Sequence, residues 1–264
     1  MWQALRNELH GGGVEIVTVS LELRGPEASR PFIEAARAEH PSLLDPTHQL
    51  DALFGVVNIP NVIWIDEQGV IVRPPEPGWP GDTVYPDSMR EMMAERTRQA
   101  ADAAASAEST PGAAAAPAPN LANILQGGQD RDEYPDAIRD WAKHGARSRY
   151  AMSADEVIAA SQPRRLDASR AAAHFELGNV LWRSDDRDGA IRHFNECHRL
   201  APDNWTYKRQ AWSLVGNELA GGGEFGPFNQ APRPGEEAEW PFISNFNADV
   251  AALQPGQYYP NTMK

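Results

Sequence analysis

The chain has 264 residues, with 24 Lys and Arg against 37 Asp and Glu, giving a formal charge of −13. Phosphate backbones and anionic membrane surfaces repel such a balance, so neither nucleic acid nor membrane is expected as a partner. The single cysteine, Cys197, excludes an internal disulfide, a CxxC redox pair and any multi-cysteine metal cage.

Hydrophobic residues make up 41% of the chain, enough for a packed core, while 21 glycines and 22 prolines predict much loop or linker. No run approaches the roughly 18 apolar residues of a membrane span. The N-terminus does not have the basic, apolar and small-residue order of a signal peptide, so we expect a soluble, cytoplasmic protein.

In chain order, Val14–Ser20 is β-branched and apolar, as a buried strand should be. Pro26–His40 places apolar residues among charges and reads as a helix. A strand over Asn61–Ile65 follows Pro60, Asp66–Gly69 forms a turn, and Val70–Val72 pairs back as a hairpin. Strand, helix and hairpin together predict an α/β layer over residues 1–88. Beyond it, Ser88-Met89-Arg90-Glu91 has capping-box form and opens a helix to about Ala107. Ala113–Pro119 lacks charge and aromatics and reads as a linker, so 89–120 joins two domains. A helical pattern then fills 121–220, with a second capping box at Ser153-Ala154-Asp155-Glu156 and helices near 168–184, 187–200 and 205–219. The tail at 221–264 carries Trp240, Phe242, Phe246, Tyr258 and Tyr259 besides Phe225 and Phe228. Aromatics at that density are costly in water, so the tail should wrap onto a surface.

Residues 171–204 resemble a tetratricopeptide repeat, a 34-residue helix–turn–helix. Leu177, Gly178 and Leu181 match the packing positions of its first helix, and Ala190 and Phe194 those of its second; Pro202 closes the repeat. His174 replaces the usual tryptophan, and Cys197 replaces the usual small residue. One period earlier the signature does not recur, so a small helical domain built on one clear repeat is expected. The resemblance implies a protein or peptide partner bound through a helical groove.

The segments Val14–Ser20, His40–Asp45, Phe54–Pro60 and Val62–Asp66, in that order after the helix end Trp2–Leu9, resemble thioredoxin-like redoxins of the ResA/TlpA kind. The likeness implies a cis proline at Pro60 that, with Ile59, shapes a substrate groove; the plain alternative is a trans edge-strand proline. It also implies thiol–disulfide or peroxide-linked chemistry and a thiol reductant as partner. In that family the nucleophile opens the helix that Trp2–Leu9 would finish, and the preceding strand runs through the sheet centre. No catalytic residue is therefore expected among these 264 residues. We expect Met1 to be an internal methionine of a longer protein similar to the group with a WAxxUGxxH motif, whose selenocysteine codon a gene caller would take as a stop. A degenerate redoxin turned structural module, or a non-enzymatic adaptor, is the alternative.

Weaker signals point to structure. Cys197 falls at a repeat packing position and is expected to be an inert hydrophobe. His174, His193, Cys197 and His198 have spacings that could ligate zinc, but no further ligand completes a cage, so no metal and no cofactor are expected. Asp66 and Glu67 fit turn chemistry, and Gly11–Gly13 and Gly221–Gly223 lack the flanking residues of a phosphate cradle.

Overall fold

The computed structural model describes residues 2–80, 133–161, 163–219, 231–232, 237–254 and 256–260. The helix expected over 88–107, the linker, the second glycine run, Phe225 and Phe228 lie outside them. The chain is mixed α/β with a helical C-terminal region. Its first part runs α1 (Trp2–Leu9), β1 (Thr18–Ser20), α2 (Pro26–Ala36), β2 (Ser42–Leu44), α3 (Gln49–Phe54), β3 (Asn61–Ile65) and β4 (Ile71–Pro77). The helical part holds α4 (Glu133–His144), α5 (Ala154–Ser161), α6 (Leu166–Arg183), α7 (Arg187–Leu200), α8 (Trp205–Leu219) and α9 (Phe246–Ala251).

Among the described residues the strands form two separate pairs. β1 runs parallel to β2, with Thr18 opposite Ser42 and Ser20 opposite Leu44. β3 runs antiparallel to β4 with an irregular register. β4 extends past the expected Val72 through Pro74 and Pro75, which an edge strand tolerates because its outer N–H groups have no ladder to serve. The Val14–Ser20 strand shortens to three residues, Thr18–Ser20, because β2 offers partners only from Ser42. Helix α2 stops at Ala36 rather than His40 because Arg37 turns left-handed (φ 48°) and donates its N–H to Glu34 O. The hairpin turn is as expected. Asp66 Oδ1 accepts from Gln68 N (3.0 Å) and Val70 N (2.8 Å), and Gly69 supplies the positive φ.

A two-stranded sheet cannot stand alone in water, so helices must cover these pairs. Leu5 and Leu9 of α1, Trp64, Val72, and Tyr134, Ala137 and Ile138 of α4 form one buried cluster, with Ile16, Val62 and Trp141 packed on it. Trp64 Nε1 donates to Tyr134 Oη (3.0 Å), and the Trp64 ring stacks on Trp141 at 5.1 Å. Burial raises the Tyr134 phenol far above its ordinary pKa, so it stays neutral and able to accept this bond. Arg139 of α4 holds Glu8 of α1 at 2.7 Å, and Met152 N donates to Val72 O. By packing, then, α4 covers the α/β layer rather than the helices that follow it in sequence. The buried Arg73–Glu76 pair is bidentate, at 2.5 and 2.7 Å, and Arg73 also donates to Tyr150 O.

Gly78 shows how closely α4 approaches. A Cβ there would lie 2.5 Å from the Tyr134 ring and 2.8 Å from Val62 Cγ2. Overpacking of this kind costs about 1–3 kcal/mol. Gly78→Ala should therefore lower the unfolding free energy by that amount, seen as a lower urea midpoint at unchanged m-value by tryptophan fluorescence. An unchanged midpoint would mean that Tyr134 is not seated against this glycine.

Candidate functional site

The helical hairpin α6–α7 is built by three local devices. Asp186 caps α7, its Oδ1 accepting from Gly189 N at 2.9 Å. Asp185 (φ 67°) turns the chain between the helices. Gly178 lets them close: a Cβ at that position would meet Phe194 Cε1 at 2.7 Å. The rings of Phe175 and Phe194 tilt together at 5.8 Å, and Tyr207 of α8 stacks on Phe175 at 4.3 Å. Ala171, Ala190, Cys197 and Trp212 fill the remaining core.

Of the residues singled out for packing, Gly178, Ala190 and Phe194 are buried, Leu181 packs at the margin of the core, and Pro202 stands exposed in the turn before α8. Leu177 departs from its expected role. It is 42% exposed, as is Val180 at 45%, three residues on along the same helix. The physical reason is that, among the described residues, no preceding repeat lies against this side of α6. The result, among the described residues, is an exposed apolar strip, beside the exposed Glu176.

The four residues with zinc-like spacing divide. His174 and His193 approach Nδ1 to Nδ1 at 2.8 Å across α6 and α7, so one donates and the other accepts. Cys197 and His198 turn inward instead. His198 Nδ1 meets Ser244 Oγ of the tail at 2.9 Å, and its ring lies 5.5 Å from Phe242. Among the described residues no three His, Cys, Asp or Glu side chains group to hold a metal. Burial pushes the Cys197 thiol well above its usual range, so its nucleophilic thiolate is suppressed.

The Ile59–Pro60 peptide is cis. This loop meets the helical part directly: Val57 O accepts from Thr206 N at 3.1 Å, and Asn58 Nδ2 donates to Tyr258 O at 2.8 Å. The tail does wrap onto a surface, as its aromatics required. Trp240, Phe242, Phe246, Tyr258 and Tyr259 are all buried.

Sequence reasoning missed one group at this junction. His48, left-handed at φ 57°, donates or accepts at Nδ1 with Asp51 Oδ2 (2.7 Å), and both are fully enclosed. Its ring abuts Phe175 edge-on at 4.9 Å, so a polar pair of the first part lies in the wall of the repeat. Burial raises the Asp51 carboxyl above its ordinary range, and the bond from His48 opposes that rise. The spacing His-x-x-Asp was the only signal, and it is too common to be singled out.

A family model of the tetratricopeptide repeat matches residues 171–204. No curated protein and no solved structure matches the chain. The chain thus contains a tetratricopeptide repeat, the class of module that generally mediates protein–protein interaction, within a helical C-terminal region. No helix among the described residues is long and apolar enough to cross a membrane.

Burial holds the His198 imidazole down to about 3, with Lys208 adding to the effect. Free imidazole titrates near 6.5, so between these values the unfolded chain takes up a proton that the folded one refuses. Stability is therefore complete above about pH 6.5 and declines as pH falls toward 3. The urea midpoint should drop between pH 7 and pH 5, and His198→Gln should flatten that slope. An equal slope in the variant would place the titration elsewhere.

Proposed function

We propose that this chain is a protein-interaction module of the cytoplasm, recruiting a partner protein through its tetratricopeptide unit, with a thioredoxin-like α/β layer as the body that carries it. The observation that bears most weight is the open apolar strip of α6. Leu177 and Val180 occupy the side of the repeat on which a neighbouring helix normally packs, and both are left to solvent. A helix laid along α6 would bury them at i and i+3 spacing, the usual register of helix-in-groove recognition.

A second reading, thiol–disulfide or selenol oxidoreductase chemistry of the redoxin kind, draws support from one observation. The parallel β1–β2 pair, then the loop through Ile59–Pro60, then the antiparallel β3–β4 pair follow the element order that the sequence resemblance implies. In that reading Ile59 and Pro60 border the substrate groove, and a thiol reductant regenerates the nucleophile. That nucleophile is a thiol or selenol other than Cys197, which is enclosed and protonated.

Two measurements separate the readings. Partner protein captured on the immobilised full chain should bind the Leu177→Glu/Val180→Glu variant at least tenfold more weakly, at unchanged circular dichroism; equal retention would remove α6 as the docking face. The full chain should show no dithiol-dependent insulin reduction, and Ellman's reagent should find its one thiol only after unfolding. Turnover lost on Cys197→Ser would overturn the interaction reading and the burial of the thiol together.

A further inference from the structure

In the tail, Gln257 N donates to Gln254 O (3.1 Å) and Gly256 turns the chain at φ 81°. The turn presents two adjacent tyrosines to two different parts of the molecule. Tyr258 sends its ring edge-on to Trp205 of α8 (4.7 Å), and its Oη accepts from Arg209 Nη1 at 2.8 Å. Its main-chain carbonyl accepts from Asn58 Nδ2, in a bond buried from solvent. Tyr259 lies perpendicular to Trp79 at 4.9 Å, and its Oη donates to Ile59 O at 2.9 Å. Asn58 is further ordered by its own Oδ1, which accepts from Ile59 N.

Three features distinguish this contact from general packing. The receiving side is drawn from two separate units, the 58–59 loop with Trp79 and the first turns of α8. The occupant makes its specific contacts through two side chains and one carbonyl of a short segment, which is how a peptide is held. The residue types that meet are Trp, Tyr and Arg, the types that dominate binding at protein interfaces.

We propose that Asn58, Ile59, Trp79, Trp205 and Arg209 form a peptide-binding site that the chain's own Tyr258–Tyr259 segment occupies, and that its ligand in trans is a partner segment presenting two adjacent tyrosines on a turn. The first phenol accepts from Arg209, the second donates to the Ile59 carbonyl, and the carbonyl between them satisfies the Asn58 amide. The tail then acts as a tethered competitor. Tethering supplies an effective concentration of about 1 mM, so a tail segment of about 10–100 μM intrinsic affinity holds off the same free ligand by one to two orders of magnitude until it is displaced. This site is separate from the α6 strip, so it stands or falls independently of the partner recruited there.

The probe is a fluorescein-labelled peptide with the sequence of residues 254–264, titrated against full-length protein by anisotropy. The Tyr258→Ala/Tyr259→Ala chain, its own occupant disabled, should bind the peptide at least tenfold more tightly than the unaltered chain. A control peptide with both tyrosines replaced by alanine should bind neither. Equal or absent binding by a double variant with native circular dichroism would overturn the proposal. If the double variant loses its fold, Tyr259→Phe replaces it. That change removes the bond to Ile59 O, so peptide uptake should rise about two- to tenfold, the equivalent of one neutral hydrogen bond; no rise would overturn the proposal equally.

Discussion

The α/β layer depends on the contact between Trp64 and Tyr134. Two-stranded sheets contribute too little buried area to hold themselves, and the pairs β1–β2 and β3–β4 are no exception. What turns them into a layer is an aromatic helix laid over the hairpin. The Trp64 indole is bonded to the Tyr134 phenol, stacked on Trp141 and overlain by the Arg73 guanidinium at 5.5 Å. Because α1 is tied to the same helix through Glu8 and Arg139, α4 links the start of the described chain to the hairpin. The helix exposes one side of its residues and buries Tyr134, Ala137 and Ile138, and that buried side packs with Leu5 and Leu9 of α1 and with Trp64 and Val72 of the hairpin.

The helical unit solves the opposite problem. Its hairpin is internally well packed around Phe175, Phe194 and Cys197, but among the described residues one flank of α6 is exposed at Leu177 and Val180, and the other flank is to be covered by whatever follows. The structure covers that second flank with α8 and with the aromatic tail, so that Phe242 and Phe246 join the same core. The first part contributes as well, through the His48 ring against Phe175 and the Leu23 N–H bonded to Gln210. The enclosed His48–Asp51 pair is weak evidence of stability, since desolvating such groups offsets much of their attraction, but it orients a ring that fills the repeat wall.

How much of this was legible in the sequence follows from the range of the interactions. The repeat was legible because its packing positions recur at fixed offsets within 34 residues, and so were the Asp66 turn and the Ser153–Glu156 capping box, where Ser153 N and Oγ both bond Glu156 Oε2. The need of Phe242, Tyr258 and Tyr259 for a surface could be read from their polarity alone. Which surface could not, because Asn58 and Ile59, which bond Tyr258 and Tyr259, stand 200 positions earlier. Likewise α4 reads as one more helix of the helical region; only the shape of Gly78 and Trp64 shows which layer receives it. Leu177 was misjudged for a related reason: the repeat pattern states which side chains face a neighbour, not whether a neighbour is there.

The link from Asn58 to Tyr258 also has a consequence for the order of events during synthesis. A ribosome adds about 5–20 residues per second, so the amide of Asn58 is made about 10–40 s before the carbonyl that will satisfy it. Over that interval Asn58 and Ile59 lack the tail groups that bond them in the finished molecule. The nascent chain therefore passes through a stage in which this loop is open to other proteins, and its closure is timed by elongation rather than by the folding of the loop itself.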